Sequence, residues 1–131
     1  MRFIPTRFHG VLDYIAGIFL IVAPWIFDFS DAGTATWLMV IVGTAVLLQT
    51  AFTDFEVGLF RVIPMRLHLL NDFILGTGLA VSPWLFNFAD RVYLPHLILG
   101  IFMVLAALTT HRVTSQSYAN RHIRPEHIRD M

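Results

Sequence analysis

The chain has no cysteine and no lysine, and charged side chains make up only 14% of its 131 residues. Without cysteine there are no disulfides, no thiolate metal ligands, no dithiol redox chemistry and no cysteine nucleophile. Charge at 14%, against roughly 25% in ordinary soluble domains, is too little to cover a water-facing surface. Basic and acidic residues balance at nine each, so no global field recruits nucleic acid, which is not expected as a partner. Also missing are a Gly-rich phosphate loop, a Ser/His/Asp nucleophile set and a paired-carboxylate hydrolase arrangement. No enzyme activity and no cofactor are therefore expected.

What is present in quantity is apolar surface: 56% of residues are hydrophobic, twelve of them Phe. Apolar runs cover Val11 to Phe27, Ala35 to Phe52, Leu67 to Phe88 and Val92 to Leu108, interrupted by Asp13, Gln49, Asp72 and His96, all but Gln49 close to a run's end. Each is roughly 17 to 22 residues, enough for a helix to cross a hydrocarbon core of about 30 Å. The expected fold is all-α, an integral membrane four-helix bundle. A signal peptide is the alternative for residues 1–27 alone, but a duplicate of that segment deep in the chain argues against cleavage.

The duplicate lies at an offset of 59: PTRFHGVLDYIAGIFLIVAPWIFDFSD aligns without gaps on PMRLHLLNDFILGTGLAVSPWLFNFAD, with 13 of 27 positions identical. The shared skeleton pairs Pro5/Pro64, Arg7/Arg66, His9/His68, Asp13/Asp72, Gly17/Gly76, Pro24/Pro83, Trp25/Trp84, Phe27/Phe86, Phe29/Phe88 and Asp31/Asp90. Beyond the turn the match weakens, although Gly43 and Gly100 correspond after a two-residue deletion. The chain thus divides into a membrane domain over 1–110, with repeat 1 at about 5–54 and repeat 2 at about 64–111, and a polar tail over 111–131. Each repeat is a helical hairpin. An even number of spans per repeat makes both copies enter the membrane in the same direction, related by a pseudo-twofold axis along its normal.

SPWLFNF in the second copy, APWIFDF in the first and the upstream H-x3-D in both resemble the SPW repeat family of small bacterial and archaeal membrane proteins. The resemblance covers roughly residues 5–110 and implies an integral membrane domain without an established activity. Ala23 stands in the first copy where Ser82 stands in the second, so the hydroxyl is not required in both.

Arg2, Arg7, Arg61, Arg66, Arg112, Arg121, Arg124 and Arg129 fall at one end of the four runs, and Arg91 alone at the other. The positive-inside rule then places both termini and the middle loop in the cytoplasm, the protein spanning the inner (cytoplasmic) membrane. From His9 to Trp25 is roughly 24 Å of helix, so Trp25 and Trp84 reach the outer interface, with Pro24, Ser82 and Pro83 completing a helix-ending anchor. Asp31 and Asp90 are expected to cap the following helices or face water. Arg7 and Arg66 suit headgroup contacts.

His9, Asp13 and Gly17, like His68, Asp72 and Gly76, are spaced by four and share a helical face. Those faces are expected to meet near the pseudo-twofold axis, the Gly allowing a close neighbour. The plainer reading of His9, Asp13, His68 and Asp72 is a symmetric set of interhelical hydrogen bonds joining the hairpins. The sharper readings are a divalent metal site or a proton relay, and the choice stays open. Bis-His haem ligation is disfavoured because adjacent Asp and Arg leave little apolar room. Gln49 is expected to bond a neighbouring helix, and His96 to be a satisfied surface residue. Phe55, Leu59, Phe60 and Ile63 could lie in the headgroup plane as an amphipathic piece, or form a simple linker. The tail, with His111, His122 and His127, reads as solvated and drawn to anionic lipid by its arginines.

The function class expected is a non-enzymatic structural or interaction module, with the lipid bilayer and a homo-oligomer or larger membrane complex as partners. The alternatives are metal, proton or ion handling at the His/Asp pairs and, more weakly, an enzyme acting on a lipid-soluble substrate such as a quinone.

Overall fold

A computed structural model of the chain describes residues 1–114 and Ser117. The expectations for Arg121, His122, Arg124, His127 and Arg129 lie outside the described residues. Among those described, the fold is all-helical: α1 (Thr6–Ile26), α2 (Thr34–Phe52), α3 (Met65–Leu85) and α4 (Leu94–Thr109). Helix α1 packs along α2 and α3 along α4, giving two hairpins, while α2 against α3 and α1 against α4 touch more sparsely.

Pro5 and Pro64 start the repeats' first helices. Both are extended, with φ near −65° and ψ 144° (φ −63° and −67°). Their rings fix φ, and their carbonyls accept the first helical bonds from His9 N and His68 N at 3.0 and 3.2 Å. The far ends close alike. Phe27 and Phe86 are the last residues of near-helical conformation, and Asp28 and Asn87 follow with φ 56° each. Phe29 N then donates to Pro24 O at 2.9 Å and Phe88 N to Pro83 O at 2.8 Å, the six-to-one bond of a Schellman ending. The recurrent Phe-Asp/Asn-Phe is thereby explained: Asp and Asn tolerate the left-handed turn, which returns the second Phe toward the core. Phe29 is buried, and Phe88 packs against the same cluster around Leu20, Met39, Val46 and Leu79.

Glycine sets the spacing within each hairpin. A Cβ on Gly43 would lie 2.7 Å from Gly17 O, and one on Gly76 would lie 2.8 Å from Gly100 O. The repeat glycines therefore serve α1 against α2 and α3 against α4, not the pseudo-twofold axis, where only the His and Asp meet.

The hairpins are also tied by two equivalent backbone pairings at the end where the chain starts. Ile4 pairs in parallel with Thr110, and Ile63 with Thr53. Ile4 N donates to Thr109 O at 3.0 Å and Ile63 N to Phe52 O at 2.8 Å; His111 N and Asp54 N return bonds to Ile4 O and Ile63 O. Each pairing brings the end of one hairpin to the start of the other. In the segment between α2 and α3, Phe55 is 1% exposed and inserts over Gly10, packing into the bundle, while Leu59 and Phe60 remain exposed.

Candidate functional site: a crossed His/Asp tetrad

His9 and Asp13 project from the first two turns of α1, and His68 and Asp72 from the same turns of α3; all four are buried. The structure brings one ligand atom from each within 4.8 Å of all the others. His9 Nε2 lies 3.0 Å from Asp72 Oδ2 and 3.2 Å from Asp13 Oδ2. His68 Nε2 lies 2.9 Å from Asp13 Oδ2 and 3.0 Å from Asp72 Oδ2. Each imidazole thus faces one carboxylate of its own helix and one of the other repeat, and the two rings stand edge to face with centroids 5.5 Å apart.

Two residues that sequence reading passed over complete the arrangement. Thr53 Oγ1 is 2.8 Å from His68 Nδ1, and Thr110 Oγ1 is 2.8 Å from His9 Nδ1. Both hydroxyls also donate to the carbonyl one turn back, Thr53 to Gln49 O at 2.6 Å and Thr110 to Ala106 O at 2.7 Å. A signal existed: Thr53 and Thr110 keep the offset that relates Gly43 to Gly100. It was lost because the repeats diverge there. Gln49 donates through Nε2 to Asp72 Oδ1 of α3, the bond to a neighbouring helix expected of it. Beside the tetrad is a space of about 10 Å³, room for roughly one water.

The remaining predicted residues lie elsewhere. Arg7 and Arg66 are exposed. Trp25 and Trp84 are exposed at the far end, whereas Pro24, Pro83 and Ser82 are buried in helix packing. The Ser82 hydroxyl donates to its own helix, at Leu79 O, 2.7 Å away, which is why Ala23 can replace it in the other repeat. Of the two roles expected of Asp31 and Asp90, the structure shows the second: no side chain caps the N-terminus of α2 or α4, and both aspartates are exposed. Asp31 meets Arg91 of the α3–α4 loop at 2.5 Å, and that guanidinium holds its carboxyl below the ordinary range.

His96 is a second correction. It is fully buried, not at the surface, between the equivalent rings of Phe29 and Phe88 at 5.6 and 4.9 Å. Its Nε2 donates to Ala35 O at 2.9 Å, while Nδ1 has no partner among the described residues. A groove of about 530 Å³ near this end is lined by Phe19, Phe27, Tyr93 and Leu94, with Arg91 as its one charged group. It has no converging polar set and lies far along the helices from the tetrad.

Fold and site together define a duplicated four-helix bundle with a buried polar tetrad shared by its halves. The model of the SPW repeat domain matches residues 7–110, and the chain belongs to that family. No curated protein and no solved structure matches it.

Proposed function

We propose that this protein is a four-span integral component of the cytoplasmic membrane and acts as a non-enzymatic structural or interaction module, its two hairpins clamped by the crossed tetrad. The observation that carries the reading is an inverted distribution of polarity. Ile15, Ile18, Ile41, Leu48, Ile74, Ile98 and Leu105 lie on the outside of the helices, while His9, Asp13, Gln49, His68, Asp72 and His96 lie inside. Water would penalise that surface; lipid accepts it, provided the polar groups satisfy each other internally.

Helices α1 and α2 are long and apolar enough to cross a membrane by length and composition. Helix α3 has the length, 21 residues, and its polar residues His68 and Asp72 face inward, where they cost the lipid contact nothing. Helix α4, with 16 residues, spans about 24 Å, a shortfall that local thinning of the bilayer accommodates at modest cost. Exposed Trp25 and Trp84 at one end and arginines at the other supply the interfacial anchors, and the arginine bias supports cytoplasmic termini. The small space beside the tetrad counts against a lipid-soluble substrate reaching it.

The cysteine-free chain makes the test direct. Membranes carrying it are washed with alkaline carbonate, and single-cysteine variants Ser30→Cys, Asp90→Cys and Leu59→Cys are treated with a membrane-impermeant maleimide on intact cells. Carbonate resistance, labelling at positions 30 and 90, and labelling at 59 only after permeabilisation are expected. Release by carbonate, or labelling of 59 with 30 and 90 protected, would overturn the reading.

A further inference from the structure

We propose that the tetrad is a binding site for one divalent ion of the zinc class, ligated by His9 Nε2, His68 Nε2, Asp13 Oδ2 and Asp72 Oδ2. The argument begins with the two threonines. A hydroxyl has one proton, and a carbonyl can only accept. With Thr53 donating to Gln49 O and Thr110 to Ala106 O, neither has a proton left for the imidazole beside it. His68 Nδ1 and His9 Nδ1 must therefore be the donors to Thr53 Oγ1 and Thr110 Oγ1. In a neutral imidazole this leaves the lone pair on Nε2.

Those two lone pairs point at carboxylate oxygens. Nitrogen and oxygen acceptors stand 2.9 to 3.2 Å apart in all four His–Asp pairings, a separation that requires positive charge between them. A proton on each Nε2 is one source, but an N–H is directional and each Nε2 has two carboxylate oxygens at nearly equal distance. A central cation faces all four atoms at once. Tetrahedral zinc with bonds of about 2.0 Å holds its ligands roughly 3.3 Å apart, close to the four His–Asp separations of 2.9 to 3.2 Å, and all four ligand atoms lie within 4.8 Å of one another.

The donor set selects the ion. Two imidazoles and two carboxylates suit zinc and its neighbours, whereas calcium and magnesium require six or more oxygen ligands. A divalent ion with two carboxylates and two neutral imidazoles is electrically neutral, which suits a site away from water. The outer contacts have the form that metal-bound histidine takes, its second nitrogen donating to a fixed oxygen; here both oxygens are oriented by helix back-bonds. Four protein ligands leave no open position, the arrangement of a structural site. This inference rests on the tetrad that the proposed clamp also uses, but not on the membrane assignment.

The test uses the full chain in detergent, stripped with chelator, then offered Zn2+ or Co2+ and washed. About one ion per chain, and for Co2+ the intense visible bands of tetrahedral coordination, are expected. The double variant D13N/D72N should lose the ion yet stay helical and monodisperse, because an Asn amide can donate to the Nε2 lone pair. Should it fail to fold, T53V/T110V decides: it removes no ligand and should weaken binding about 10- to 100-fold. A folded wild type that retains neither ion, a weak octahedral cobalt spectrum, binding undiminished in folded D13N/D72N, or undiminished in T53V/T110V would each overturn the proposal. Carbonate resistance and the cysteine labelling pattern are read separately, so a metal-free protein with the expected topology sinks this inference and leaves the membrane reading standing.

Discussion

His9 Nε2 is nearer to Asp72 Oδ2, 63 residues away in the other repeat, than to Asp13 Oδ2 one turn along its own helix: 3.0 Å against 3.2 Å. The tetrad therefore couples the hairpins and does more than decorate each one. Removing one member leaves buried carboxylates without compensation, so His68→Ala should destabilise the bundle by about 3–5 kcal/mol. D13N/D72N, which removes both charges together and keeps hydrogen-bonding shape, should cost much less. Unfolding of both variants in mixed micelles measures the difference, and equal losses would show that the charges are not coupled.

The Gly17–Gly43 contact predicts a position-specific penalty for a single methyl group. Gly43→Ala would place a Cβ 2.7 Å from a backbone oxygen that cannot swing away, and should cost about 1–3 kcal/mol. Gly78→Ala is the matched control: nothing lies within 4 Å of a Cβ there. Thermal stability in detergent should fall for the first and hold for the second.

Asn87, at φ 56°, ends α3 in the left-handed region. Asn87→Gly should be tolerated, whereas Asn87→Val should lose about 1–2 kcal/mol, because its branched Cβ crowds the backbone at positive φ and it lacks the short polar side chain by which Asn tolerates that region. The same contrast applies at Asp28. Similar melting curves for the Gly and Val variants would contradict the assigned turn.

Asp31 and Arg91 join the α1–α2 and α3–α4 loops, both side chains largely exposed. Because Arg91 depresses the Asp31 carboxyl below its ordinary value of 3.8, the pair's contribution to stability is present above that value and is lost as pH falls through the folded-state midpoint. Carboxyl NMR of labelled protein should place the Asp31 midpoint below 3.8 and raise it toward that value in Arg91→Ala. At neutral pH that variant should unfold much like wild type, since solvent screens an exposed pair. An unchanged midpoint would show that the two side chains do not meet in solution.

The sequence by itself determined the four helices, their grouping into hairpins and the face that carries each His and Asp, because apolar runs, a repeat and a spacing of four are local regularities of the chain. It also marked the Pro-Trp ends, yet not the reason for Asp28 and Asn87, since a left-handed residue is seen only once the helix has an end. Partners were decided by tertiary structure. Helical spacing says which way a side chain points on its own helix, but the rotation and height of the neighbouring helix come from packing, here from Gly17 against Gly43 and Gly76 against Gly100. That packing sent the glycines to the hairpin mates, buried His96 between Phe29 and Phe88, and drew Phe55 inward. It also set Thr53 and Thr110 behind the histidines. A threonine at a helix end has the same spelling whether its hydroxyl meets solvent or orients an imidazole, so the tautomer of the tetrad, and with it the case for a bound cation, exists only in the folded arrangement.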